Sequence, residues 1–203
     1  MIWAVVLAAG ESKRMGEPKL LLPFGLSTVI ETVLERIAAS AVDKTLVVLG
    51  GARERIEDRV KKFPVRTTLN PHFRLGMLSS VQWGIRALPQ DAQAALIFLG
   101  DQPWISPRTI DLLLKNYRAT GKGLVLPVYR NSGGHPLLID LKYREEIQKI
   151  SPAVGLTDLL SLHPEDIFRV EIKDPAILKD MDTPQDYRRE SRRKSRPRRK
   201  SSP

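Results

Sequence analysis

Cysteine is absent from the 203-residue sequence, and histidine is rare, with three residues. The absence of cysteine excludes disulfide bonds, thiolate metal sites and a cysteine nucleophile. No uninterrupted apolar run approaches the ~18 residues that a transmembrane helix needs, so the sequence predicts no membrane span. The N-terminus leads straight into an apolar stretch without the basic segment of a signal peptide, which favours a cytoplasmic location.

The net charge of +10 is concentrated at the C-terminus. Residues 188–203 contain nine Lys or Arg and one Glu, a net of +8, whereas residues 1–187 carry 24 basic and 22 acidic side chains, a net of +2. A run of like charges has nothing apolar to bury, so we predict a disordered basic tail over 188–203 after a folded domain over 1–187. The tail could attract nucleic acid, but the nearly neutral body lacks the interleaved aromatic and basic residues of a recognition module. A nucleic-acid-binding protein is therefore the least favoured hypothesis.

Apolar runs typical of strands alternate along the chain with segments of helical periodicity. Strands are expected at 2–9, 44–50, 65–70, 94–99, 124–129, 136–139 and 168–172, with a Gly-Gly turn before 136, and helices at 27–41, 52–62, 79–88, 107–120, 141–150 and 155–162. This order predicts an α/β protein in which helices cover both faces of a mostly parallel sheet. Because ligands of such sheets bind beyond the carboxyl ends of the strands, residues that directly follow a strand are candidates for the site.

The first predicted strand ends in a small-residue loop with basic side chains, LAAGESKRMGEPK. Ala8, Ala9 and Gly10 leave room for a ligand against the backbone, and exposed N–H groups in such a loop bind anions. Arg14 can fork onto phosphate oxygens, and Lys19 can supply a point charge. The spacing matches neither the G-x-G-x-x-G dinucleotide fingerprint nor the G-x-x-x-x-G-K-S/T loop. From these residues alone, a phosphate-binding loop and an ordinary polar turn both remain open.

This stretch resembles the L-A-A-G-x-S-x-R-M-G-x-x-K signature of the MobA-like NTP transferase family, and it is most similar to the molybdenum cofactor cytidylyltransferase branch. The matching residues are Leu7, Ala8, Ala9, Gly10, Ser12, Arg14, Met15, Gly16 and Lys19. The resemblance implies a Rossmann-like three-layer α/β/α nucleotidyltransferase fold over residues 2–187. It also implies a loop that wraps an NTP, with Arg14 and Lys19 on the phosphates and Leu7–Gly10 near the base and ribose. The ending Gly-Glu-Pro-Lys differs from that of the guanylyltransferase branch and favours CTP over GTP.

Two acidic motifs lie far apart in the sequence. Asp101 follows an apolar strand in IFLGDQP, and Asp182 lies in LKDMDTPQDY. Carboxylates at a sheet edge can bind Mg²⁺ together with phosphate oxygens, but Asp101 can also form a turn before Pro103, and Asp182 can start a helix at Pro184. The motifs resemble the family's Gly-Asp-x-Pro and Asp-x-Asp-Thr-Pro segments. The resemblance implies that Asp101 and Asp182 ligate Mg²⁺, with Asp180 in a secondary role.

Two further polar segments complete the expected site. Asn70, Ser79 and Ser80 lie in LNPHFRLGMLSS, which resembles the family's nucleotide-reading loop, although Ser79 could simply cap a helix. His135 lies in SGGHP, which resembles a Gly-His-Pro motif that faces the acceptor substrate in the family. A lone histidine in a turn can equally be structural.

The resemblance is weaker on the acceptor side. Gly133 stands where the branch usually has a basic residue, and residues 155–157 read Gly-Leu-Thr where it usually has Gly-Ala-Arg. We expect a Mg²⁺-dependent nucleotidyltransferase in which Arg14, Lys19 and Asp101 promote transfer of CMP from CTP to a phosphorylated acceptor. Molybdopterin is the leading acceptor, and a molybdoenzyme is the protein partner this implies. The alternative is a related transferase that uses GTP or a sugar-phosphate acceptor.

Overall fold

The computed structural model of the protein describes residues 1–12, 15–151 and 153–194. The strands are β1 (Ile2–Ala8), β2 (Pro23–Phe24), β3 (Ser27–Thr28), β4 (Lys44–Leu49), β5 (Arg66–Leu69), β6 (Ala94–Leu99), β7 (Leu124–Tyr129), β8 (Ser132–Gly133), β9 (Leu137–Asp140) and β10 (Ile167–Glu171). The helices are α1 (Val29–Ala38), α2 (Arg53–Val60), α3 (Met77–Ala87), α4 (Pro107–Thr120), α5 (Arg144–Lys149), α6 (Thr157–Leu162) and α7 (Pro184–Lys194). Every strand and helix expected from the sequence is present; β6, β7 and α4 have the expected bounds, and the ends of the others are shifted.

The main sheet has the strand order β10-β7-β9-β6-β1-β4-β5, and β8 pairs with β7 outside this path. Strand β1 lies at its centre and pairs in parallel with β4 and β6. Strand β9 is antiparallel to both of its neighbours, β6 and β7. The expected mostly parallel sheet is therefore confirmed, and β9 is the element that departs from it.

The reversal into β9 begins earlier than the sequence suggested. Arg130 and Asn131 both have positive φ, 49° and 68°, and join β7 to β8 in a two-residue hairpin. Right-handed strand twist favours turns of this kind, in which both central residues have φ above zero. The expectation of a turn at the two glycines 133 and 134 was wrong, because Gly133 pairs with Val128 as part of β8.

The two faces of the sheet carry separate apolar cores. Alternate residues of β1 point to opposite faces, because the side-chain period of a strand is two. Val6 packs in the core beneath α1, α2 and α4, whereas Val5 packs in the core beneath α3, α5 and α6. Both residues are fully buried, as central parallel strands require. The three-layer α/β/α architecture is thereby confirmed.

Helix ends are set by local hydrogen bonds. Thr28 caps α1 through a capping box with Glu31. Thr183 caps α7 in a similar way: its hydroxyl accepts from Asp186 N (3.2 Å), and the Asp186 carboxylate accepts from Thr183 N (3.0 Å). Asp182 is therefore not the residue whose side chain caps this helix.

Helix α7 crosses the boundary expected between the domain and the tail. It continues to Lys194, beyond the expected end of the folded domain at residue 187. The hydroxyl of Tyr187 donates to the Pro23 carbonyl (2.7 Å), which ties the helix to the β2–β3 hairpin. The remainder of the expected disordered tail, 195–203, lies outside the described residues. Within the described part of the chain, no helix is both long and apolar enough to cross a membrane.

Candidate active site

The carboxyl ends of the central strands open onto a cavity of about 610 Å³. Loops that follow β1 and β6 form part of its wall, as expected for a parallel sheet. Its lining residues are Leu7, Ala9, Gly10, Ser12, Lys19, Leu20, Phe73, Gly76, Met77, Ser80, Leu99, Gly100, Asp101, His135, Asp180 and Asp182. The antiparallel direction of β9 brings its N-terminal end, and hence His135, to the same rim.

The loop after β1 lies between two glycines that permit close packing of backbone. A Cβ at Gly50 would lie 2.5 Å from the Ala9 carbonyl oxygen, and one at Gly100 would lie 2.8 Å from the Leu7 carbonyl oxygen. Both distances are shorter than non-bonded atoms tolerate, so any side chain at either position would push the loop away from its neighbours. The Gly100 N–H donates to that Leu7 oxygen at 3.0 Å.

Ser12 turns the loop back towards the cavity. It adopts φ +53°, which is uncommon for a residue with a side chain, and its hydroxyl accepts from Lys19 N at 3.1 Å. Ser12 is a site residue that the sequence analysis matched to the motif without assigning a role. Arg14 lies outside the described residues, so its predicted phosphate contact stays a prediction.

Lys19 joins the two acidic motifs. Its ammonium pairs with Asp101 Oδ2 and lies 3.1 Å from Asp182 Oδ1. Burial alone would lower the pKa of Lys19, but the carboxylates of Asp101 and Asp182 outweigh burial and hold that pKa above its usual value. The lysine is therefore charged at neutral pH. Asp101 is buried, with 8% of its surface exposed, whereas the Asp182 side chain is 40% exposed.

Asp180 and His135 also line the cavity. Burial, together with the Asp101 carboxylate, raises the pKa of Asp180, against the effect of a hydrogen bond from Gln102 Nε2 at 3.2 Å. Burial also lowers the pKa of His135, although the nearby Ile97 carbonyl and acidic groups act in the opposite direction. The His135 ring is therefore largely neutral at pH 7. Its Nδ1 is buried and has no hydrogen-bond partner among the described residues.

Asn70 is fully buried and does not line the cavity. Its Nδ2 donates to the hydroxyls of Ser79 and Ser80, both at 3.0 Å, and its Oδ1 accepts from His72 N at 2.8 Å. Because its amide is used inside the protein, Asn70 orders the wall of the site instead of facing the cavity. Ser80 does line the cavity.

Ser79 is not a helix cap. Helix α3 begins two residues before it, at Met77, and Gly76 occupies the cap position with φ +103°. The Ser79 hydroxyl donates back to the Gly76 carbonyl (2.8 Å) and, like Asn70 and Ala8, does not line the cavity. Phe73 and Met77 do line it, although their apolar side chains gave no signal in the sequence analysis.

The donor set fits a hard divalent cation. Two carboxylates from distant segments already share one cationic partner, the Lys19 ammonium, and all their donor atoms are oxygens. The described residues contain no cluster of three or more His, Cys, Asp or Glu that would hold a metal ion alone. Mg²⁺ characteristically takes one or two protein carboxylates and completes its shell with substrate phosphates and water. Asp101 and Asp182 match that requirement.

Comparison with known proteins agrees with this geometry. Residues 4–167 match the model of the MobA-like NTP transferase domain. The chain belongs to the MobA-like NTP transferase family. The resemblance seen in the opening loop is thus confirmed, and the chain is a nucleotidyltransferase of this family. The matched region includes Lys19, Asp101 and His135 but ends before Asp182. In the folded structure Asp182 lines the same cavity as these three residues.

Individual relatives of this MobA-like transferase cover nearly its whole length. The molybdenum cofactor cytidylyltransferase of Escherichia coli K12 is 27% identical over 184 residues, covering 90% of this chain and 92% of that protein. The nicotine blue oxidoreductase of Paenarthrobacter nicotinovorans is 30% identical over 191 residues, with the same coverage of 90% and 92%. The two relatives thus carry the names of different activities, a cytidylyltransferase and an oxidoreductase.

Among solved structures, Rv0371c of Mycobacterium tuberculosis H37Rv superposes with a TM-score of 0.81. It is 26% identical, and the match covers 94% of this chain and 97% of that one. The same protein has also been solved as a complex with manganese.

Proposed function

We propose that the protein transfers CMP from CTP to a phosphorylated acceptor, with molybdopterin as the first acceptor to test, and releases pyrophosphate. The observation that carries the proposal is the cluster of Lys19, Asp101 and Asp182 beside the opening loop of the cavity. An ammonium and two carboxylates next to exposed loop backbone suit a polyanion with its counter-cation. The name of the Escherichia coli relative and the Gly-Glu-Pro-Lys ending of the loop favour CTP.

The reaction requires no covalent bond to the protein. An oxygen of the acceptor phosphate attacks the α-phosphorus of CTP and forms a new P–O bond. The bond from the α-phosphorus to the bridging oxygen breaks, and pyrophosphate leaves with that electron pair. Catalysis then consists of holding the two phosphates in line and neutralising the charge that develops between them.

Lys19 is the group best placed to neutralise that charge. Its ammonium stays protonated, and Ser12 holds its backbone N–H at 3.1 Å. Asp101 and Asp182 would hold Mg²⁺, which, when bound, supplies Lewis-acid polarisation of the phosphate. Lys19 would then donate to phosphate oxygens in place of one of its carboxylate partners. Arg14, in the matched motif, would add a second positive charge on the phosphates.

The acceptor side is supported by fewer groups. His135 lines the cavity, but a largely neutral ring does not neutralise a phosphate. The basic residues that the branch usually carries near this point are replaced by Gly133 and Thr157. A sugar phosphate is therefore the alternative acceptor, and GTP the alternative donor. For a molybdopterin product, a molybdoenzyme is the partner that would receive it.

The experiment is an assay of pyrophosphate release with each of the four NTPs, with and without molybdopterin or a set of sugar phosphates. We expect turnover with CTP that depends on molybdopterin and on added Mg²⁺, and that is lost in Asp101→Asn. Faster turnover with GTP would identify GTP as the nucleotide donor. Turnover with a sugar phosphate alone would identify the sugar phosphate as the acceptor. Absence of pyrophosphate release under every condition would refute nucleotidyl transfer by this chain.

A further inference from the structure

The segment that carries Asp180 and Asp182 into the cavity has no regular secondary structure. It runs from residue 179 to residue 182, between a short 3-10 turn (Pro175–Leu178) and α7. No sheet pairing holds it in place. The buried side chain of Met181 anchors it on one side.

Gln102 holds the segment on the other side. Its Nε2 donates to the Lys179 carbonyl at 2.9 Å and to Asp180 Oδ1 at 3.2 Å. Both partners are acceptors, so the amide must turn its NH₂ group towards them, and both of its hydrogens are used. Gln102 directly follows Asp101 in the chain and is only 3% exposed. Gln102, which is next to Asp101 in the chain, thus binds the segment that carries Asp182.

This arrangement opposes a repulsion built into the site. Asp101, Asp180 and Asp182 all line one cavity, and like charges brought together in a partly buried site repel one another. The contact of the Lys19 ammonium with Asp182 offsets part of that repulsion, and what remains favours an outward movement of the segment, which no sheet pairing resists. Two hydrogen bonds from Gln102 act against it, one of them on the Asp180 carboxylate itself.

The other end of the Gln102 amide shows that the residue is not there for stability alone. Its Oε1 is buried and has no hydrogen-bond partner among the described residues. A buried polar atom left without a partner costs stability. An apolar side chain of similar shape would avoid that cost. We therefore take the two hydrogen bonds donated by Nε2 as the reason for a glutamine at this position.

We propose that Gln102 is a positioning residue that keeps Asp182 close enough to Asp101 for both carboxylates to bind one divalent cation. The inference rests on the proposed function only in taking Asp101 and Asp182 as the cation's ligands. It assigns Gln102 no contact with substrate. The expected effect is on metal affinity first, and on turnover only as a consequence.

The test measures metal binding without catalysis. Mn²⁺ binding is followed by electron paramagnetic resonance, with and without the unreactive analogue α,β-methylene-CTP, on the full-length wild type and the variants. Gln102→Met removes both donors at similar size, and Gln102→Asn keeps an amide that is too short to reach both partners. The matched control is Gln82→Met, because Gln82 Nε2 also donates to two carbonyls, those of Ile147 and Ile150, both at 2.9 Å, but lies outside the cavity lining.

We expect Gln102→Met to weaken Mn²⁺ binding about tenfold, within the range found when a partner that orients a metal ligand is removed. Its melting temperature should stay near that of the control variant. Wild-type Mn²⁺ affinity in Gln102→Met or Gln102→Asn, while Asp101→Asn loses binding, would overturn the role of Gln102 and leave the metal site intact. Wild-type affinity in Asp101→Asn would instead refute the metal site of the proposed function. Equal losses of Mn²⁺ affinity in Gln102→Met and Gln82→Met would also overturn the proposal, because a general loss of packing would then explain both. If Gln102→Met does not fold, the Mn²⁺ affinity of Gln102→Asn decides.

Discussion

The Lys19 ammonium lies 3.1 Å from Asp182 Oδ1, although 163 positions separate these residues in the sequence. The same ammonium also pairs with Asp101, so one cation is shared by two carboxylates from distant segments. Such an arrangement is costly to bury unless its charges neutralise one another or a ligand completes it. In the proposed reaction, it would provide both a cation for phosphate and carboxylates for a metal ion.

Replacing Lys19 should chiefly reduce turnover. We expect Lys19→Ala to lower kcat about a hundredfold, or about 3 kcal/mol, by analogy with removal of one group that stabilises developing charge. The measurement is the rate of pyrophosphate release at saturating substrate. Lys61→Ala is the control, because Lys61 pairs with Asp58 on an exposed helix face and is outside the cavity lining. Turnover near the wild-type rate in Lys19→Ala would contradict the proposed role.

Asp101 and Asp182 should act on the same ion. A double-mutant cycle of Asp101→Asn and Asp182→Asn on turnover is expected to show a coupling energy of about 0.5–3 kcal/mol, because residues that share a partner are not additive. Each single variant should also need more Mg²⁺ for half-maximal activity. Additive effects, with no change in the Mg²⁺ requirement of Asp182→Asn, would remove Asp182 from the metal site.

Asp186 provides a control that separates the effect of metal binding from that of helix capping. Asp186 completes the cap of α7 with Thr183. We expect Asp186→Asn to lower the melting temperature slightly, because a cap contributes about 1 kcal/mol, and to leave the Mg²⁺ requirement unchanged. Asp182→Asn should show the opposite pattern.

Asn70 should matter for stability more than for chemistry. Asn70→Ala removes two donated hydrogen bonds and leaves His72 N–H without its partner, so we expect a loss of about 2–3 kcal/mol in the free energy of unfolding. The measurement is urea denaturation. Asn116→Ala serves as the control, since its side chain donates at an exposed helix position and its loss should cost under about 0.5 kcal/mol. Equal losses in the two variants would show that the buried network contributes little.

Asp166 should make stability depend on pH at acidic values. Burial would raise its pKa, but hydrogen bonds from Lys142 and Tyr143 outweigh burial and lower the pKa to about 2. Because the folded pKa lies below the unfolded one, this stabilisation is present above about pH 4 and is lost as the pH falls towards 2.

We therefore expect Asp166→Asn to cost about 2 kcal/mol at pH 7, the scale of hydrogen bonds to a charged group. The difference between wild type and variant should shrink as the pH falls below 4. Urea denaturation from pH 7 to pH 3 checks this expectation. A difference that stays constant over that range would show that the charge of Asp166 is not its source.

Local features of the chain could be predicted from the sequence because their causes are local. The apolar run of β1 implies a buried central strand, and Pro107 after Ser106 starts α4 where expected. The opening loop indicated the family through the spacing of its glycines and basic residues. Hydrophobic periodicity and turn-forming residues act over a few positions, so they can be recognised in the sequence alone.

Contacts between distant segments were decided only by the tertiary structure. Whether Asn70 faces the cavity or the interior depends on how the chain after β5 packs against α3, and the structure places its amide against Ser79 and Ser80, outside the cavity lining. The direction of β9 follows from a hairpin at Arg130–Asn131, a pair without the usual glycine.

The role of Gln102 illustrates the same limit, since its partners lie 77 and 78 positions away. The sequence by itself determined the family, the order of strands and helices and a set of candidate site residues. The tertiary structure decided which of them meet. The physical reason is that backbone preference is set within a few residues, whereas the meeting of Lys19, Asp101 and Asp182 depends on how the whole sheet and its crossovers pack.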